Sequence, residues 1–407
     1  QLVEGSAPLP YQSTTDRQNF PRLNYYDSNP NNLISCPVLL MENTITNLLL
    51  QSELFSTTWV TSNITVSSNT ELSPDGIKKG DTLTATSNNA YITQPGGGTS
   101  VNGSRTFSVW IKRKTGIGSI SLQSGDVNTI VPVDSNWIRY WIVNNLMPGT
   151  YSSTGTSYTV TTTSPHGLIT GDTIRFQVVS GAAGSQNVAV SVTSPTQFTF
   201  TGTNVTTSGS CNIVSNSARI NISTNGDEIY VWGAQLETSI TNPENNSNII
   251  PTTYISTSTA SVSRSLDTLV VKNPGTSQAT FYARIKRLGG TNTGGAPFIL
   301  FSDSSSPPSS INGIQCSGIN SGLINWYYRL SGSNISLGTS TTYSPPETDY
   351  FDIVVTVDNS ATYKFNIWMD GSLIVSSTLS IDATLLRYAV IGGSHPVTFL
   401  KEYASWD

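Results

Sequence analysis

The sequence predicts an all-β chain built from separate two-layered sandwiches, and three observations carry that prediction. Apolar and polar residues alternate with a period of two in many short runs, as half-buried strands require. Thr and the aromatics, which favour strands, are plentiful, and Asn, Gly, Ser and Pro supply turns between them. The helix formers Ala, Glu, Lys and Leu never cluster. At 407 residues the chain is too long for one small core, and two or three domains are expected.

Hydrophobic residues make up 36% of the chain and charged residues 11%, the latter well under the usual value of about 25%. Ser, Thr, Asn and Gly replace the missing charge. Disorder calls for high net charge and few aromatics, whereas 8 Trp, 17 Tyr and 12 Phe argue for packed cores. The formal charge of -5 comes from 20 basic and 25 acidic residues spread thinly. No basic patch stands ready to neutralise phosphates, so nucleic-acid binding is not expected. Lys112, Arg113 and Lys114 form the densest basic run and read as a solvated strand end. No long apolar stretch suggests membrane insertion. A chain that opens on Gln1 reads as a processed, trimmed or partial product.

Cys36, Cys211 and Cys316 are isolated and odd in number. Without CxxC spacing they suggest neither a zinc site nor a disulfide framework, and burial as small apolar side chains is the expectation.

Residues 1–45 are polar and carry Pro8, Pro10, Pro21, Pro30 and Pro37. They read as an extended arm that lies against another surface, because alone it buries little. A first sandwich is expected over 46–145 and 215–265. Phe107, Val109 and Ile111 line one side of a strand there, with Ser108, Trp110 and Lys112 on the other. Trp110 is expected to be packed beneath an insert or the arm. Residues 146–214 have their own texture of short Thr/Val strands and read as a small β-domain inserted in a loop, which costs little closure entropy. A last sandwich is expected over 266–407. Its strands include Phe281–Ala283–Ile285, Ile324–Trp326–Tyr328, Phe351–Ile353–Val355–Val357 and Phe365–Ile367–Met369, the last ending in the hairpin pair Asp370-Gly371. One apolar and one polar face suits stacked antiparallel sheets.

Three segments together resemble phage tail and fibre proteins that carry carbohydrate-binding-like jelly rolls. They are Cys36-Pro37-Val38-Leu39-Leu40-Met41-Glu42-Asn43 with Thr46 to Glu53, then Phe107 to Lys112, and then Ile229 to Glu237 followed by Ile250 to Ile255 and Ser263-Arg264. The insert resembles a small β-module of phage structural proteins through Ser164-Pro165-His166-Gly167-Leu168 and Thr170-Gly171-Asp172. The last unit resembles the concanavalin A/laminin G sandwich through Phe351 to Asp358 and Phe365 to Ile374. The resemblance implies a jelly-roll β-sandwich with a small inserted β-domain, followed by a concanavalin A-like β-sandwich, on a virion surface in a tail or fibre, or on the capsid. It also implies a homo-oligomer, with a trimer favoured, and a structural calcium ion for which Glu53 and Glu237 are the residues to test. Surface carboxylates with no metal are the favoured reading of both, since the chain lacks a dense Asp-rich loop.

Few groups suit catalysis, and no enzyme is expected. His166 and His395 sit in turns, and no Gly-x-Ser-x-Gly elbow surrounds a serine near either. Asp352, Asp358 and Asp370 are the carboxylates a glycosidase would use, but the last two flank turns, where capping is the ordinary job. Sugar binding would use an aromatic ring with flanking amides. Trp368 is the best platform, with Asn366 and Lys364 on its own parity. Tyr327 with Arg329, and Tyr282 with Arg284, share the outward side. Coverage of these rings by a neighbouring domain or subunit is the alternative.

The sequence thus points to a virion fibre or tail-associated protein that attaches to host-surface glycans, with the arm reaching other virion proteins. A capsid decoration or head-fibre protein without sugar recognition is the second reading, and a polysaccharide depolymerase the third.

Overall fold

The computed structural model describes residues 22–26, 33–41, 45–97, 102–238 and 251–264. Toward the C-terminus it describes the strands within 268–406 and the hairpin 365–378, with side chains for part of these. The described residues are all β, and the architecture is a jelly-roll β-sandwich carrying a small inserted β-domain, followed by a concanavalin A-like β-sandwich. None of the described residues forms a helix long and apolar enough to cross a membrane. The chain divides into two compact units, one built on Ile45–Ser239 with Ile249–Arg264, the other on Ser265–Asp407 with Arg17–Thr44.

The first unit stacks two five-stranded antiparallel sheets. One runs in the order Val127–Val131, Ile120–Ser124, Ser217–Ile222, Ala90–Pro95, Val60–Ser62. The other runs Ile138–Asn144, Arg105–Thr115, Glu228–Thr238, Lys78–Ala85, Ile64–Leu72. Alternation fixes which residues meet between them: Phe107, Val109 and Ile111 from one sheet pack with Leu122, Ile220 and Ile222 from the other, all fully buried.

The insert leaves the sandwich after Ile138–Asn144 and returns at Ser217–Ile222. Its first and last strands, Met147–Thr154 and Thr207–Ser215, pair with each other, so its two ends come together. Seven strands form one sheet around Tyr151, Tyr158, Phe176, Phe198 and Phe200. Tyr158 stacks on Phe200 at 4.7 Å between centroids, and Phe176 meets Tyr151 edge-on at 5.2 Å. Rings supply much of the buried area in so small a domain.

The second unit holds a seven-stranded sheet ordered Arg22–Tyr26, Leu33–Met41, Thr398–Trp406, Gln278–Arg287, Phe351–Asp358, Phe365–Met369, Ser372–Ser377. A six-stranded sheet is ordered Thr268–Lys272, Tyr388–Gly392, Pro297–Ser302, Gly313–Gly318, Ile324–Leu330, Ser333–Thr339. Phe281, Ala283, Ile353, Val355, Val357, Ile367 and Met369 are buried, as the alternation predicts.

Within the segment read as an arm, Leu39–Met41 pairs antiparallel with Thr398–Leu400, and Arg22–Tyr26 pairs with Leu33–Leu40. Pro37 brings no N–H to a ladder, and it falls where the register slips between the Asn24–Val38 and Tyr26–Leu33 pairs.

Candidate functional site

Strand pairing sets the outer face of the seven-stranded sheet row by row. Tyr282 stands opposite Val354, Val354 opposite Trp368, and Trp368 opposite Leu373. In the next row Thr280, Thr356, Asn366 and Ser376 are partners in the same way. The intervening residues face the core, so Trp368, Asn366, Tyr282 and Val354 are left half-buried on the surface.

Leu373 breaks the simple alternation. Val375 is buried opposite Ile367, and two residues earlier Leu373 would point inward as well. The register slips between Ile367 and Trp368, and the bulge turns Leu373 outward, 54% exposed, beside Trp368. No periodicity in the sequence reveals this.

Hydrogen bonds fix the polar groups around the row. Tyr282 donates its hydroxyl to Asp352 Oδ1 at 2.9 Å, and Arg284 Nε lies 3.7 Å from the same oxygen. Ser376 donates to Asn366 Oδ1 at 2.6 Å. Asp370 and Gly371 both have positive φ, 46° and 76°, as a tight hairpin turn needs. The Asp370 carboxylate accepts the backbone N–H of Asp352 on the neighbouring strand at 2.7 Å.

The sequence candidates do not form one cluster. Trp368, Asn366 and Tyr282 share one outer face. Tyr327 belongs to the six-stranded sheet, where Trp326 is fully buried and Tyr327 half-exposed. In a two-layered sandwich the outer faces look away from each other, so grouping Tyr327 with Trp368 is corrected. Arg329 lies on the Tyr327 strand opposite Gly313 and Asn334, and its side chain is outside the described residues. Lys364 and His395 are outside them too.

The segments most specific to the resemblance build a fastening in the first unit. Trp110, Trp232 and Tyr254 pack ring to ring at 4.9 to 5.4 Å. The Arg139 guanidinium carbon lies 4.5 Å from the Trp110 ring centroid, and Arg139 donates to the Thr252 carbonyl at 2.7 Å and to Ser108 Oγ at 2.9 Å. Among the described residues, the Thr252–Thr257 segment packs on Trp110 through Tyr254. Asn47 donates to the Ile255 carbonyl at 2.8 Å, Gln235 Oε1 accepts the Ile255 N–H at 2.7 Å, and Ser52 Oγ accepts the Thr257 N–H at 2.8 Å.

Glu237 lies inside this fastening, 2% exposed. Its oxygens accept the Thr252 N–H at 2.8 Å, the Gln235 amide at 2.6 Å and the Thr252 hydroxyl. Burial pushes its pKa up, opposed by Thr252 and by the positive Arg139. Glu53 pairs with Lys79 at 3.1 Å and accepts the Tyr254 hydroxyl at 3.4 Å. Calcium wants six to eight oxygens, whereas these two carboxylates face N–H, O–H and ammonium donors. Among the described residues no three Asp, Glu, His or Cys side chains gather as a metal group. Glu53 and Glu237 do not fit a calcium site.

His166 is 2% exposed. Its Nδ1 accepts the Leu168 N–H at 3.1 Å and its Nε2 lies 3.1 Å from the Ser194 carbonyl oxygen, which sets the Nε2–H tautomer. It holds a turn, as Pro-His-Gly suggests. Cys211 is buried and reduced.

No family model matches the chain, and no curated protein matches it. Among solved structures, sheep galectin-11 in complex with glycerol is similar to 34% of this chain and 96% of its own, at 9% identity and a TM-score of 0.26. At that score the likeness decides neither fold nor ligand.

Proposed function

We propose that the chain is a non-enzymatic phage virion surface protein, fibre or tail-associated, whose second sandwich attaches to host-surface glycans. The virion context rests on the resemblance of the three segments from Cys36 to Arg264. The sugar reading rests on one observation: Trp368 lies half-buried on an outer sheet face, one strand in from the edge, with the Asn366 amide one row away. A ring held flat on a strand face offers its π-surface to the C–H face of a sugar, while amides and hydroxyls pair with the sugar's own hydroxyls. Asp352 and Asp370 are engaged by the Tyr282 hydroxyl and by the Asp352 backbone N–H respectively, which supports binding over hydrolysis. Tyr327 and Arg329 would form a separate contact on the opposite side of the same sandwich. Weak contacts of this kind gain from a trimeric assembly through effective concentration, and the N-terminal segment would join the chain to other virion proteins.

The test is retention on arrayed host polysaccharides. Trp368→Ala should weaken binding about tenfold with its melting temperature unchanged, and no reducing ends should be released. Silence of the assembled protein on every polysaccharide would remove the adhesin reading, and release of reducing ends would replace it with a depolymerase.

A further inference from the structure

We propose that the first sandwich carries a glycan contact of its own, centred on Trp137, that takes a pyranose through the sugar's C–H face and a pair of neighbouring hydroxyls. The contact uses residues of the first unit alone and stands apart from the Trp368 face.

The site begins where the Thr252–Thr257 fastening stops. Register orders the outer face of the sheet into rows: Arg139, Trp110 and Trp232, then Lys112, Tyr230 and Thr82, then Glu228 and Thr84. Tyr254 packs on Trp110 and Trp232, in the first row. Beyond it Tyr230, Lys112, Glu228, Thr84 and Trp137 are half-buried, and Lys114 is exposed.

Trp137 is seated as a platform. Its Nε1 donates to the Leu72 carbonyl at 2.8 Å, and the ring edge lies against Gly80, where a Cβ would come within 3.1 Å of Cζ2. Glycine inside a strand weakens it and often marks a close approach, which here the indole supplies. The ring also packs against the buried Trp110, Trp232 and Tyr254, so it loses little freedom when a ligand lands on it. With the N–H already bonded, the indole offers a ligand its carbon π-surface, which suits the C–H face of a sugar.

Polar groups beside the ring are held in donor–acceptor pairs. Tyr230 lies 6.4 Å from Trp137, tilted by 42°, and the ammonium groups of Lys112 and Lys114 sit 5.6 and 5.7 Å from the Tyr230 centroid. Lys112 pairs with Glu71 at 2.7 Å, and Lys114 with Glu228 at 3.1 Å. Glu228 also accepts the Thr84 hydroxyl at 2.7 Å. Each pair sets an ammonium and a carboxylate side by side, and all four side chains are between 23% and 35% exposed. Adjacent sugar hydroxyls, each both donor and acceptor, can answer such a pair from one edge of the ring.

Affinity electrophoresis of the full chain tests this in gels containing β-glucan, mannan or galactan. Trp137→Ala, Trp368→Ala and the double variant run beside wild type. Retardation is expected to survive Trp368→Ala in at least one gel and to vanish in the double variant. Lys112→Met combined with Glu71→Gln removes a partly exposed ion pair worth little to stability. That change should weaken the surviving retention several-fold, and it decides the matter if Trp137→Ala fails to fold. Retention that Trp368→Ala abolishes, but that Trp137→Ala and the Lys112–Glu71 change leave untouched, would overturn this site and spare the glycan reading of the second sandwich. Loss on Trp137→Ala alone, with Trp368→Ala binding like wild type, would keep this site and remove that reading. Free migration of wild type in every gel would overturn both.

Discussion

Gly233 and Trp110 approach so closely that no side chain fits between them. A Cβ on Gly233 would lie 2.8 Å from Trp110 Cε3 and 3.4 Å from Tyr254 Cζ. The glycine also has φ +65°, and it sits where the register of Glu228–Thr238 against Arg105–Thr115 slips between Trp232 and Gln235. An L-residue pays about 1–2 kcal/mol for that backbone region, and overpacking adds about 1–3 kcal/mol. Gly233→Ala should therefore lower the stability of the first unit by about 2–5 kcal/mol. Calorimetric melting checks this. A loss under about 1 kcal/mol, the size of a surface change, would mean that the segment over Trp110 gives way easily.

Glu237 predicts a pH dependence of unusual sign. A carboxyl whose folded pKa is raised binds its proton more tightly folded than unfolded. Its penalty is absent below the ordinary glutamate value of 4.5 and grows as pH rises from there through the folded pKa. The stability difference between wild type and Glu237→Gln should therefore shrink, or turn more negative, as pH climbs above that value. Urea unfolding of both proteins across acidic to neutral pH measures the difference, in which all other titrating groups cancel. A difference that grows with pH would mean that Arg139 and the Thr252 donors outweigh burial.

Some of this was readable from residues alone and some was not, for physical reasons. Alternation placed Phe281, Ile353 and Ile367 in the core because a strand's side-chain period is two and one face is dry. The same logic put Trp368 and Tyr282 outward. It could not put Tyr327 on another sheet, because parity names a face of a strand but not the sheet to which the strand belongs. Nor could it find Leu373, since a bulge breaks the period without any Gly or Pro to mark it. The block from Ile229 to Glu237 stood out as specific, yet its aromatic and amide residues mostly fasten Thr252–Thr257 onto the sheet. Backbone partners more than a hundred residues away, such as Ile255 for Asn47, leave no local trace.

Cys211 should resist thiol reagents in the folded protein. It is 1% exposed, and burial pushes its thiol up to about 12, so almost no thiolate is present near neutral pH. Mapping of the Cys211 peptide after labelling should show no adduct until denaturant is added. Rapid labelling without denaturant would mean that the inserted domain opens readily.

Arg219 and Asp172 tie the insert to the outer face of its host sheet. Their side chains are 9% and 4% exposed, and Nη2 lies 3.3 Å from Oδ2. Asp172 also accepts the Ile169 N–H at 2.9 Å, and Arg219 donates to Gln123 at 3.2 Å. Burial alone raises the Asp172 pKa, with the Ile169 N–H and Arg219 opposing it. Removing only the cation leaves a buried carboxylate without its partner, so Arg219→Met should cost about 3–5 kcal/mol. Asp172→Asn on that background should recover part of the loss, because a neutral amide needs no counter-charge. Arg219→Met should also regain stability relative to wild type on acidification, since the uncompensated Asp172 then takes up a proton. A double-mutant cycle at two pH values separates these terms. Additive losses with no pH dependence would reduce the pair to two independent packing contacts.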